Sequence, residues 1–126
     1  MYSAMARRRN RSILTLDDEH CYMCKRFCIP EIHHIFGGPN RKNSEQYGLV
    51  VPLCHKCHNE PPYGVHFNKK NRLKLQAEAQ RKYESIVDHK SFMRVFGRDY
   101  IGQYLQLLEE EQDEQFRRPG VNKPAE

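Results

Sequence analysis

Cys21-Tyr-Met-Cys24, Glu31-Ile-His-His-Ile-Phe-Gly-Gly38 and Leu53-Cys-His-Lys-Cys-His58 are the three runs on which the fold turns. Two residues between paired cysteines let both sulfurs reach one tetrahedral ion. Two such knuckles, Cys21/Cys24 and Cys54/Cys57, make a closed four-thiolate site that suits structural Zn2+. Such a site leaves no position for water or substrate, so any catalysis has to use other groups. The 29 residues between the knuckles exceed the span of an ordinary zinc ribbon and leave room for a hairpin. Cys28, the fifth cysteine, reads as a small buried residue.

Composition agrees with a stapled fold. Of 126 residues only 38% are hydrophobic, and none is Trp. A core that poor needs a metal or disulfides. No apolar run is long enough for a membrane span or secretory signal, so the chain is expected in a reducing cytoplasm, where cysteine pairs favour metal. Six of the 16 acidic residues lie at or beyond Glu109, with three of the 21 basic ones, so residues 1–108 carry a net +8. A basic body suits a polyanionic partner, of which nucleic acid is the commonest.

The fold class expected is α+β, with three parts. Residues 1–16 form a flexible basic arm containing Arg7-Arg-Arg-Asn-Arg11, with a short ordered stretch at Ile13-Leu14. Residues 17–108 form the zinc-stapled domain, and residues 109–126 an acidic, disordered tail. Within the domain, residues 29–36 and 49–53 read as two strands of a hairpin, Pro52 holding the second to an edge or a strand end. Gly37-Gly-Pro-Asn40 is a turn, and a polar loop continues from it to Gly48. A helix is predicted over about 68–87, with Leu75, Ala79, Tyr83 and Ile86/Val87 on its inner face. Ser91 is expected to cap a short helix carrying Phe92 and Phe96 that Gly97 ends. A last helix places Ile101, Tyr104, Leu105 and Leu108 on one face and frays at Glu109.

The histidines carry the chemistry. Neighbouring side chains of a strand point to opposite faces, so His33 and His34 cannot both bind one ion from a regular strand. One can hold a metal while the other approaches a phosphodiester from another side. Hydrolysis of that bond needs an activated water, a task suited to a neutral imidazole, and a cation for the phosphoryl and leaving 3′ oxygens. His58 directly follows the second knuckle, and His66 comes after Pro61-Pro-Tyr-Gly64. Glu31 is placed to orient a ligand histidine. His20, His55 and His89 read as surface residues.

The order CxxC, His-His, CxxC-His, His resembles the HNH, ββα-metal or His-Me finger nuclease superfamily. Glu-Ile-His-His-Ile-Phe-Gly-Gly with a later Leu-Cys-His-Lys-Cys-His is similar to small bacteriophage HNH proteins. The resemblance covers about residues 20–90 and implies a zinc-stapled ββα-metal core with additional C-terminal helices. It implies a metal-dependent DNA endonuclease, with His34 as general base. It makes His33, His58 and His66 ligands of a catalytic divalent ion, Mg2+ or a first-row transition metal. Two departures stand out. Residues 59–65, with two prolines, separate the last two histidines, so a loop has to return His66. The Asn that commonly supports the base is replaced by Gly48 or Leu49, leaving a backbone carbonyl, Asn40 or Asn43 to orient His34.

Arg41 and Lys42 after the glycine turn, with Lys56, Lys69 and Lys70, are the candidate DNA contacts and would give salt-dependent, sequence-independent affinity. The resemblance implies work in recombination, replication or packaging, with phage or host recombination and replication proteins as partners in a bacterial cytoplasm. A zinc module that binds nucleic acid without cutting it, and a protein-interaction adaptor, are the competing expectations. Oligomeric state is not legible.

Overall fold

Glu31–His34 (β1) and Val50–Leu53 (β2) pair antiparallel, with Glu31 opposite Leu53 and His34 opposite Val50. They are the core of a computed structural model that describes residues 12–117. The architecture is α+β: a two-stranded sheet with helices packed against it. Both strands are shorter than the apolar runs that encode them. Pro52, which has no N–H to donate, sits opposite Ile32 in a sheet where every strand is an edge.

The connection between the strands is ordered. A 3-10 turn, Gly38–Asn40, leads into a helix, Arg41–Gln46 (α1), where the sequence suggested only a polar loop. Buried Ser44 explains the difference. Its hydroxyl donates to Phe36 O at 2.7 Å and accepts from Phe36 N at 2.9 Å, fastening α1 to the end of β1. At the start of the described chain, Ile13 N donates to Gly48 O at 2.9 Å, and Ile13 and Leu14 pack against the core. Most of the basic arm, residues 1–11, lies outside the described residues.

A short helix, His55–Asn59 (α2), follows β2 and carries the second knuckle. Then come Lys69–Ile86 (α3), His89–Phe96 (α4) and Tyr100–Arg117 (α5). Asn68 caps α3, its side chain accepting from Asn71 N at 2.8 Å. Leu73, Leu75, Ala77, Ala79 and Tyr83 are buried, but Ile86 and Val87 are half exposed or more and do not extend the inner face. Asp88, not Ser91, caps α4: its carboxylate accepts from Ser91 N at 2.7 Å, three residues into the motif. Gly97, at φ +81°, closes α4 in the left-handed conformation that a Cβ disfavours. α5 runs on to Arg117, so residues 109–117 are helix and not a disordered tail. Glu and Gln are good helix formers, and Lys70 reaches Glu111 at 3.0 Å. Residues 118–126 lie outside the described residues. Leu105 is half exposed, so the inner face of α5 is formed by Tyr100, Ile101, Tyr104 and Leu107/Leu108.

Aromatic rings join the strand end to the helices. Phe36 lies 4.7 Å from Phe96 and 4.8 Å from Tyr100, centroid to centroid, and Phe92 stacks on Phe96 at 4.7 Å. One polar group threads this core. Gln80, fully buried, accepts from Tyr100 N at 2.8 Å and Ile101 N at 3.1 Å, capping α5 from a distance. Its amide nitrogen donates to Asp99 and Glu84 at 3.0 and 2.8 Å, and Glu84 in turn accepts from His89 at 2.6 Å. Gln80 therefore fixes α3 to α5, and the Glu84–His89 pair joins α3 to α4. No helix of the described residues is long and apolar enough to cross a membrane.

Gln80→Leu leaves two N–H groups at the α5 start without a buried acceptor. It is expected to cost about 2–4 kcal/mol and to lower Tm by roughly 10 °C or more, read by thermal denaturation.

Candidate functional site

The knuckles converge as their spacing requires. The sulfurs of Cys21, Cys24, Cys54 and Cys57 lie within 4.8 Å of one another, with Cys24 and Cys54 Sγ 3.8 Å apart. Cys24 N and Cys57 N each donate to the sulfur three residues earlier, at 3.4 and 3.5 Å. Lys25, at φ +70°, turns the chain so that its N–H meets Cys21 O at 2.8 Å. Burial opposes ionisation of Cys21, but N–H groups of Cys24, Cys54 and Met23 outweigh it and bring the thiol down to about 7. Burial and the neighbouring thiols push Cys57 up. A cation among the four sulfurs removes that conflict, and the donor set fits a metal such as zinc. Cys21 and Cys57 are buried while Cys24 is exposed, so the cluster sits at the domain's edge. Cys28 is only half-buried, against expectation.

A second cluster forms on the sheet. His33, His58 and His66 each offer a ring nitrogen, and the three atoms lie within 4.8 Å of one another. β1 supplies His33, which is buried, and the α2 turn supplies His58. His66 is returned by the loop. Val65 N donates to Cys57 O at 2.8 Å and His66 N to His58 O at 3.3 Å, laying the returning chain against α2. Gly64 makes this close approach possible, because a Cβ there would lie 2.8 Å from both Glu60 N and Glu60 O.

The electrostatics of this cluster suit a cation. Glu31 shares a face with His33, and its carboxylate accepts from His58 Nδ1 at 2.8 Å, His55 Nδ1 at 2.9 Å and Asn59 Nδ2 at 3.2 Å. Those bonds hold the Glu31 carboxyl below its usual range, His58 contributing most. A carboxylate only accepts, so His58 Nδ1 carries the proton of that bond, and Nε2 is the ring nitrogen turned toward the cluster. That Nε2 lies 3.1 Å from His66 Nε2, while His33 Nε2 is buried with no hydrogen-bond partner among the described residues. Burial, followed by the nearby His58 and His66, pushes His33 down to about 3 and keeps it neutral. Burial also lowers His66, with His58 and Arg72 adding to it. Three ring nitrogens gathered in this way could hold a metal ion.

His34 is separate from this cluster, as strand alternation demands. Its Nε2 lies 3.3 Å from Glu45 of α1. A proton on Nε2 satisfies that carboxylate and leaves Nδ1 as the free acceptor. Asn40 and Asn43 do not orient His34. They donate instead to Phe96 O and Val95 O at 3.3 and 3.4 Å, tying the turn to the end of α4. Glu45 was not legible because nothing in the sequence marks residues 41–46 as a helix. His55 is exposed, yet it is drawn in as a partner of Glu31. Arg41, Lys42, Lys56, Lys69 and Lys70 are all exposed, and of these Lys70 is paired with Glu111.

No protein-family model, no curated protein and no solved structure matches the chain.

Gly64→Ala and Glu31→Gln are both expected to weaken divalent-ion binding at the histidine cluster, the first by displacing His66 and the second by loosening His58. A loss of about 10–100-fold is expected for Glu31→Gln. Isothermal titration with Mn2+ or Co2+ reads the effect, with the metal held by the cysteines unchanged.

Proposed function

We propose that this protein is a metal-dependent DNA endonuclease of the HNH, ββα-metal type. In this reading zinc is held by Cys21, Cys24, Cys54 and Cys57 as a structural staple. A catalytic divalent ion is held by His33, His58 and His66. The observation that carries the reading is the convergence of three imidazole nitrogens on one side of a strand whose next residue, His34, is held separately by a carboxylate.

The roles follow from the donors. When bound, the divalent ion supplies positive charge to the phosphoryl oxygen and the leaving 3′ oxygen. His34 Nδ1 accepts a proton from water as the water oxygen attacks phosphorus and the P–O3′ bond breaks. Glu45 keeps the opposite proton on Nε2 and favours the imidazolium that forms. Glu31 holds His58 in the ligating tautomer. Arg41, Lys42, Lys56, Lys69 and Lys70 supply attraction for the DNA backbone. The phage-type setting in recombination, replication or packaging belongs to the same proposal, as does a bacterial cytoplasmic location.

Purified protein is expected to nick supercoiled plasmid with Mg2+ or Mn2+. His34→Ala is expected to reduce the rate by about 10²–10⁴-fold, with metal content at the cysteines preserved. Wild-type protein that binds DNA but stays inert across divalent metals would leave a zinc module instead. Absence of both binding and cleavage would leave a protein-interaction adaptor.

A further inference from the structure

Where α3 reaches the loop that returns His66, the surface opens into a cavity of about 500 Å³. Lys69, Arg72 and Gln76 of α3 line one wall, with Gly37 at the turn after β1 and Arg98 before α5. Three cations border it and no carboxylate does. Among the described residues none of the three is ion-paired, whereas Lys70 beside them is held by Glu111. Arg72 gives one guanidinium nitrogen to Val65 O at 3.0 Å, so it is positioned against the residue that precedes His66. Gln76 donates to Ile35 O at 3.3 Å, two residues beyond His33. The cavity therefore shares its inner wall with the elements that position the histidines.

Gly37 adds an independent observation. Its φ of −98° is open to any residue, and a Cβ there would meet nothing within 4 Å. Neither backbone conformation nor packing requires glycine at this position, where the missing side chain keeps the rim clear. Buried Leu73, Phe96 and Tyr100 supply apolar lining. The size falls in the range of pockets for small ligands, roughly 300–1,000 Å³. Intact duplex is far too broad to enter, its major groove alone being about 12 Å wide. A single nucleotide can enter only once its base has left the stack, which costs least when that base is already unpaired.

We propose that this cavity seats one unpaired nucleotide next to the bond to be cut, with Lys69, Arg72 and Arg98 on its phosphates. The preferred substrate is then DNA with single-stranded character, not intact duplex. This rests on the nuclease reading, which it refines by naming the substrate class.

The test is fluorescence anisotropy of a short single strand and a blunt duplex, without divalent ion, for wild type, Arg98→Gln and Gly37→Leu. Wild type is expected to bind the single strand more tightly. Arg98→Gln is expected to weaken that binding about tenfold and to reduce the salt slope of log K by about 0.7. Gly37→Leu is expected to weaken it by blocking the rim, with duplex binding and Tm unchanged. Wild-type single-strand affinity in either variant overturns the proposal, as does an equal loss on duplex, which would reduce Arg98 to general backbone attraction. Plasmid nicking that persists alongside such a result leaves the nuclease reading standing. Wild type with neither DNA binding nor cleavage overturns both.

Discussion

Four cysteine sulfurs within 4.8 Å of one another are the constraint on which the rest of this small fold depends. The first knuckle precedes β1 and the second follows β2 without a gap, so their meeting closes the hairpin from outside. Two strands of four residues each would be marginal alone in water. Closing a long loop with a shared ion removes much of the unfolded chain's freedom, and the binding energy becomes folding energy. The register that results puts Glu31 and His33 on one face and His34 on the other.

The helices make a second body of stability around the same strand. Phe36, two residues past His34, is clamped between Phe92, Phe96 and Tyr100. Gln80 locks α3 to α5, Glu84 and His89 join α3 to α4, and α3 brings Arg72 to Val65 and Gln76 to Ile35. The candidate site thus lies between the cysteine cluster and an aromatic core, on a strand held from both ends. In the proposed nuclease that rigidity serves a purpose: His34 and the ligand histidines act on the same phosphate only if the strand between them does not move.

Much of this was legible in the residues, for identifiable reasons. The CxxC spacing is a local geometric statement, so the cysteine cluster could be read directly. The apolar stripes of α3 and α5 follow the helical period, and Gly97 marks the end of α4. His66 was legible only as a candidate, because its place depends on how residues 59–65 fold back. The backbone pairing of Val65 and His66 with α2, enabled by Gly64, is a tertiary event. Helix α1 and the role of Glu45 were missed because buried Ser44, a single polar residue, decides them through Phe36. The helical continuation to Arg117 was less legible, because the charge density of residues 109–114 resembles that of a solvated tail although Glu and Gln are good helix formers.

The central claim is that the four cysteines share one zinc ion and leave the histidines free for a second metal. Zinc K-edge X-ray absorption on the purified protein, with metal content measured in parallel, tests it most directly. The account predicts one zinc per chain, surrounded by four sulfurs at about 2.3 Å. A shell containing imidazole nitrogen, or protein that folds fully without zinc, would contradict it.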